Sequence, residues 1–155
     1  MIVLYRHAHA GSRERWEGDD RQRPLSDKGR RQADLMARSL ARLPIQRILS
    51  SPYVRCVQTV EPLARRLAMA VEEIPELAEG TPPREVTRLL RRVLNEDVVL
   101  CSHGDVVLTV LDELEAEGAT FEGGDPGRAE KGAAWVLELP RGRPAQARYM
   151  APPQL

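Results

Sequence analysis

Two of the three histidines in this 155-residue chain follow short apolar runs, and each has neighbours suited to holding an oxyanion. Arg6-His7-Ala8 closes the run Ile2-Val3-Leu4-Tyr5, and Ser102-His103-Gly104 closes Val98-Val99-Leu100-Cys101. Neutral imidazole is a good nucleophile and its phosphoramidate is labile, so a slow hydrolysis through it becomes two easier steps. Arg55 lies just beyond the apolar run 45–49, in the first turn of an expected helix. There its planar fork of donors adds to the positive end of the helix dipole, and both favour phosphate. Arg6, Arg55 and a protonated His103 would neutralise the equatorial oxygens of a transferring phosphoryl group without a metal or cofactor. Singly, each residue has a plain structural reading: a hydrogen-bonded strand-end histidine, or a surface arginine. Their joint placement at strand ends is what points to phosphoryl transfer.

Positioning these groups requires an α/β architecture. Apolar runs at 2–5, 45–49, 71–74 and 98–101 alternate with amphipathic stretches, the pattern of βαβ units. The expected fold is a three-layer αβα sandwich on a mainly parallel central sheet, in one domain spanning 1–155. In such sheets ligands bind at the carboxyl ends of the strands. The first helix buries Ala33, Met36, Ala37 and Leu40, with Ser26 as N-cap. The second presents Val57, Val60, Ala64 and Leu67 and opens at Ser51-Pro52. The third follows Thr81-Pro82 and buries Val86, Leu89, Leu90 and Val93; the fourth follows Gly104 and buries Val107, Val110, Leu111 and Leu114. Residues 133–139 and 145–150 read as strands at a sheet edge. Residues 11–24 and 118–132 read as loops long enough to serve as a lid or to select substrate.

Composition narrows the functional classes. Charged residues make up 30% and apolar residues 42%, as in ordinary globular domains. Residues 1–66 carry 14 Lys and Arg against 7 Asp and Glu, whereas residues 67–155 carry 9 against 16, so the first half suits an anionic ligand. Six aromatic residues and no basic stripe argue against nucleic acid as a partner. No run of eighteen apolar residues argues for a membrane partner. Met1 leads directly into a strand, and Cys56 and Cys101 make no disulfide framework, so the expected location is cytoplasmic.

Four blocks in order then resemble the histidine phosphatase superfamily, the group that includes the phosphoglycerate mutases. They are Arg6-His7-Ala8, Arg23-Pro24-Leu25-Ser26-Asp27-Lys28-Gly29, the stretch from Ser50-Ser51-Pro52 through Arg55 to Gln58-Thr59, and Ser102-His103-Gly104. The chain is most similar to small phosphohistidine phosphatases of the SixA type. Arg6-His7-Ala8 and Lys131-Gly132-Ala133-Ala134-Trp135-Val136-Leu137 also resemble the histidine phosphatase domain attached to some bacterial Nudix hydrolases. The resemblance implies a phosphoglycerate mutase-like fold, His7 as phospho-acceptor, and Arg6, Arg55 and His103 as the phosphate pocket. For a general acid it offers Glu79, in Glu76-Leu77-Ala78-Glu79-Gly80, although SixA-type members lack a dedicated acid and Glu79 reads equally as a loop surface charge. Ala8 departs from the usual glycine of the first motif.

Arg21, Arg23 and Ser102 are the expected substrate contacts. The implied activity is a metal-independent, SixA-like phosphohistidine phosphatase; the alternatives are a nucleotide di- or polyphosphate phosphatase or a non-catalytic phosphate-binding pseudoenzyme. The partner is thus a phosphorylated protein or a small phosphorylated metabolite or nucleotide. A mutase would need a longer substrate-capturing insertion. His7-Ala8-His9 also matches the metal pair of amidohydrolases, but His103 is the only other histidine and the chain is short for that barrel. His9 is therefore read as a rim or surface residue.

Overall fold

The computed structural model describes residues 1–155. Its strands are β1 (Ile2–Arg6), β2 (Arg47–Ser50), β3 (Val71–Glu73), β4 (Val98–Ser102), β5 (Thr120–Glu122), β6 (Ala134–Glu138) and β7 (Gln146–Met150). They form one sheet in the order β3-β2-β4-β1-β6-β7-β5. β3, β2, β4 and β1 run parallel, β6 is antiparallel to both β1 and β7, and β5 is parallel to β7. Helices α1 (Asp27–Leu40), α2 (Val54–Leu67), α3 (Pro83–Arg92) and α4 (Gly104–Ala116) cover its faces.

Alternation along the buried strands makes two cores, because successive side chains point to opposite faces. Val3, Tyr5, Ile48, Val99 and Cys101 pack with Met36, Leu40, Val60 and Leu63 of α1 and α2. Ile2, Leu4, Leu49, Val98 and Leu100 pack with Leu89, Leu90, Val107 and Leu111 of α3 and α4. The result is the αβα sandwich of the phosphoglycerate mutase-like fold. No helix is long and apolar enough to cross a membrane.

Several local expectations change. Neither β6 nor β7 is an edge: β6 lies between β1 and β7, and β7 between β6 and β5. Ala134, Trp135, Val136 and Leu137 are all buried, the continuous apolar run of a strand covered on both faces. The edge is β5, which lies in a stretch read as loop; three residues with two exposed offer no period to detect. Helix α2 starts at Val54 with Tyr53 as N-cap, because Ser51 N–H is still extending the sheet onto the Cys101 carbonyl at 2.9 Å. Its buried face is consequently Cys56, Val60, Leu63 and Ala64, with Val57 only partly covered. Helix α3 starts at Pro83 behind Pro82, while the Thr81 hydroxyl donates to the Ala78 carbonyl at 2.8 Å.

The Pro-Leu-Ser block acquires a physical reason. The Ser26 hydroxyl caps α1 by accepting from Gly29 N–H at 3.1 Å. A Cβ on Gly29 would lie 1.9 Å from the His9 carbonyl oxygen, so only glycine lets the segment after His7 rest on the start of α1.

Candidate active site

The candidate residues leave three adjacent strands at one edge of the sheet. Arg6 pairs with Ser102 across β1 and β4, and Ser50 pairs with Cys101 across β2 and β4. One residue further on, His7 N–H donates to the Ser102 carbonyl at 3.0 Å. The strand order thus supplies the adjacency that convergence of His7, His103 and Arg55 requires.

His7 is 5% exposed. Its Nδ1 lies 2.8 Å from the Ala8 carbonyl oxygen, which can only accept, so Nδ1 carries the proton and Nε2 keeps its lone pair. Burial, reinforced by the charges of His103, Arg55 and Arg6, brings its pKa down to about 3 despite the Ala8 bond, which acts the other way. A neutral imidazole with one uncommitted nitrogen is the form a nucleophile needs. Ala8 N–H donates to the Thr59 hydroxyl at 3.0 Å, and that hydroxyl donates to the Arg55 carbonyl at 2.7 Å, tying the strand exit to α2. Ala68 is the one non-glycine residue with positive φ, so Ala8 is unstrained where the family motif has glycine.

His103 uses its ring the other way round. Its Nε2 is 2.8 Å from the Ser51 hydroxyl and 3.5 Å from Cys56 Sγ, while Nδ1 is buried with no partner. Its ring meets His7 edge-on at 5.4 Å between centroids and Tyr53 at 4.6 Å. Burial would raise the Cys56 thiol pKa, but hydrogen bonds with Cys101 and His103 outweigh it and lower that pKa to about 6.

Both arginines are fixed by other groups and still keep a buried donor free. Arg6 Nη1 donates to the Ala129 carbonyl, and a Cβ on Gly104 would lie 2.9 Å from Arg6 Cζ. The glycine after His103 is therefore the seat of the Arg6 guanidinium. Fully buried Arg55 donates to the Asp20 carbonyl at 2.8 Å, to Asp20 Oδ2 at 3.0 Å and to Glu79 Oε2 at 3.3 Å, and lies 4.9 Å over the Tyr53 ring. Five buried side-chain polar atoms lack a partner, and three of them are Arg6 Nε, Arg55 Nε and His103 Nδ1. Buried polar atoms are nearly always satisfied, and these three orphans fall on the residues gathered at one sheet edge.

Residues 2–81 match the histidine phosphatase superfamily (branch 1). The chain belongs to that superfamily. It is 33% identical to an 8-oxo-(d)GTP phosphatase of Mycolicibacterium smegmatis across 98% of its own length, but spans only 48% of that relative. The structure of the protein histidine phosphatase SixA complexed with tungstate superposes with a TM-score of 0.79 at 26% identity, covering 97% of this chain and 96% of the other. The mycobacterial glucosyl-3-phosphoglycerate phosphatase in complex with VO3 gives a TM-score of 0.69 at 14% identity, covering 97% of each chain, a likeness of fold.

In this member of the superfamily the remaining expected residues fall in different places. Glu79 reaches the site, but its oxygens are taken by Arg13 at 2.6 Å and Arg55 at 3.3 Å. Arg23 clasps the loop to itself, donating to Asp20 Oδ1 at 2.9 Å and to the Ala10 carbonyl at 2.6 Å. Arg21 is exposed, with its guanidinium 6.0 Å from the Tyr53 ring centroid. Ser102 is fully buried and its hydroxyl donates to the Leu77 carbonyl, so it anchors the segment carrying Glu79 rather than facing a ligand. His9 Nδ1 is 2.6 Å from the Ser26 hydroxyl. No three His, Cys, Asp or Glu side chains gather closely enough to hold a metal ion.

Sequence reading missed Asp20, Ser51 and Tyr53. Asp20 lies in a short 3-10 turn (Asp20–Gln22) inside the 11–24 loop and bridges Arg55, Arg23 and Arg13. Partial burial acts to raise its pKa, yet these arginines hold the carboxyl below the usual range. Nothing in the sequence ties Asp20 to Arg55. Ser51 carries a readable signal, its position directly after β2, but the opening of a helix accounts for a serine there equally well.

Proposed function

We propose that this phosphatase moves a terminal phosphoryl group onto Nε2 of His7 and then hydrolyses the phosphohistidine. The observation that carries the reading is a neutral, buried His7 accompanied by three unpartnered buried donors. In the first step the Nε2 lone pair forms a bond to phosphorus as the bond to the leaving group breaks. Arg6, Arg55 and His103 hold the equatorial oxygens, where charge accumulates. In the second step water attacks phosphorus, the P–N bond breaks, and its electron pair returns to Nε2 as inorganic phosphate leaves.

The carboxylates limit the substrate class. Glu79 and Asp20 both accept from guanidiniums, and Asp105 Oδ2 accepts from Gly80 N–H at 2.7 Å. A carboxylate committed as acceptor is a poor proton donor to a departing alkoxide. Leaving groups that depart unaided fit better, which selects phosphoramidates and phosphoanhydrides over alkyl phosphate esters. The first reading is a SixA-like phosphohistidine phosphatase, supported by the likeness to SixA. The second is a nucleoside di- or polyphosphate phosphatase, favoured by the 33% identity to the 8-oxo-(d)GTP phosphatase. Two buried free thiols, Cys56 and Cys101, suit a reducing, cytoplasmic setting.

Phosphate release without added metal, measured side by side from a phosphohistidine protein, a nucleoside diphosphate and p-nitrophenyl phosphate, tests the reading. Release that depends on His7 from either of the first two supports it and selects the substrate. No release from any of the three, with phosphate still bound, would leave a pseudoenzyme.

A further inference from the structure

The loop beside the site carries a feature that phosphoryl transfer does not use. Trp16 is one of three large hydrophobic residues that are exposed, at 37%, and the others are Leu94 and the C-terminal Leu155. The indole is held by a bond from its Nε1 to the Asp19 carbonyl at 3.0 Å. The next residue, Asp20, is the one bonded to buried Arg55. Trp16 is therefore fixed to the segment that closes on the phosphate pocket. It lines a cavity of about 270 Å³ with Arg15, Ala10, Arg23 and Pro24. That volume lies just below the usual range for ligand pockets and offers room for a base rather than for a whole nucleotide.

Charge around the indole is unevenly committed. Arg13 pairs with Glu79 and Asp20, and Arg23 pairs with Asp20, but exposed Arg15 and Arg21 form no ion pair. Arg21 approaches Tyr53, whose ring packs on His103. Uncommitted guanidiniums thus lie both beside the indole and toward the reacting centre. An aromatic face with one free cation beside it and another toward the reacting centre is a combination that holds a base and its phosphates, since every base offers a π-face and each phosphate a charge. A phosphoprotein would present its imidazole from a broad surface and has no need of a cleft for a base.

We propose that Trp16 is a stacking platform for the base of a nucleoside diphosphate or polyphosphate, with Arg15 and Arg21 receiving the phosphate that is not transferred. This rests on the phosphatase reading above and decides between its two substrate classes. The expectation is tested with GDP as nucleotide and acetyl phosphate as a ring-free phosphoryl donor. Trp16→Ala should raise the KM for GDP relative to that for acetyl phosphate by ~10-fold, and Trp16→Phe should recover most of it. In His7→Ala protein, GDP should quench tryptophan fluorescence saturably whereas inorganic phosphate should not. Trp135 is 1% exposed and makes a silent background.

An unchanged KM ratio in Trp16→Ala, or no quench, overturns the proposal and leaves the phosphatase reading standing. So does turnover of acetyl phosphate but not GDP, or a Trp16→Ala defect confined to a phosphohistidine protein. Wild-type protein that releases phosphate from neither GDP, acetyl phosphate nor a phosphohistidine protein overturns the phosphatase reading itself.

Discussion

His7 and His103 occupy equivalent places, one residue beyond neighbouring parallel strands, yet the surrounding chain commits opposite ring nitrogens. The Ala8 carbonyl takes Nδ1 of His7 and frees Nε2; Ser51 takes Nε2 of His103 and leaves Nδ1 buried and unpartnered. Residue type is the same, so the difference lies in what surrounds each ring: the following residue's own carbonyl for His7, the hydroxyl just after β2 for His103. A carbonyl fixes a tautomer with a free lone pair, the form the proposed nucleophile needs. A hydroxyl, which can donate or accept, tolerates both neutral and protonated rings and suits a group that must give a hydrogen bond to an oxyanion.

Removing each ring tests this division. His7→Ala should lower turnover by ~10⁴-fold or more while phosphate still binds, because no other group can form the covalent intermediate. Equal losses for both histidines would mean that neither role is distinct. His103→Ala should cost a smaller ~10²- to 10³-fold, and steady-state kinetics on the two variants separates them.

The difference also predicts a pH effect on stability that belongs to His7. Its folded pKa of about 3 lies below the ordinary value of 6.5, so below about pH 6.5 the unfolded chain binds a proton that the folded chain does not. Stability therefore falls as pH drops from 6.5 toward 3. Between pH 7 and pH 5 wild type should lose about 2 kcal/mol more than His7→Ala, read by chemical denaturation at both pH values. Parallel pH profiles for the two proteins would sink this assignment of burial to a neutral ring.

Smaller effects sharpen the supporting shell. Gly104→Ala should displace the Arg6 guanidinium and reduce kcat/KM by ~10- to 100-fold with little change in fold, checked by kinetics alongside circular dichroism. Ser51→Ala should cost under ~10-fold in kcat with KM little changed, read by steady-state kinetics, because it frees the His103 ring without removing it.

Much of this was legible before the structure because strands and chemistry shared one signal. Apolar runs ending in His or Arg gave the sheet edge, and four ordered blocks gave the family. β5 escapes because three residues, two of them exposed, carry no period, and the inner positions of β6 and β7 are not legible because pairing partners are not encoded locally. In the site, covalent candidates were readable from type, whereas Asp20 and Tyr53 act through contacts that only folding brings together. Ser102 shows the converse: a polar residue inside a motif whose hydroxyl serves the backbone of a neighbouring segment.

The most direct test traps the intermediate by rapid acid-free quench during turnover and determines which ring nitrogen carries phosphorus. The expected product is phosphohistidine at residue 7 linked through Nε2, the nitrogen left free by the Ala8 carbonyl. Phosphate on Nδ1 of His7, on His103, or on no residue during active turnover would contradict the account.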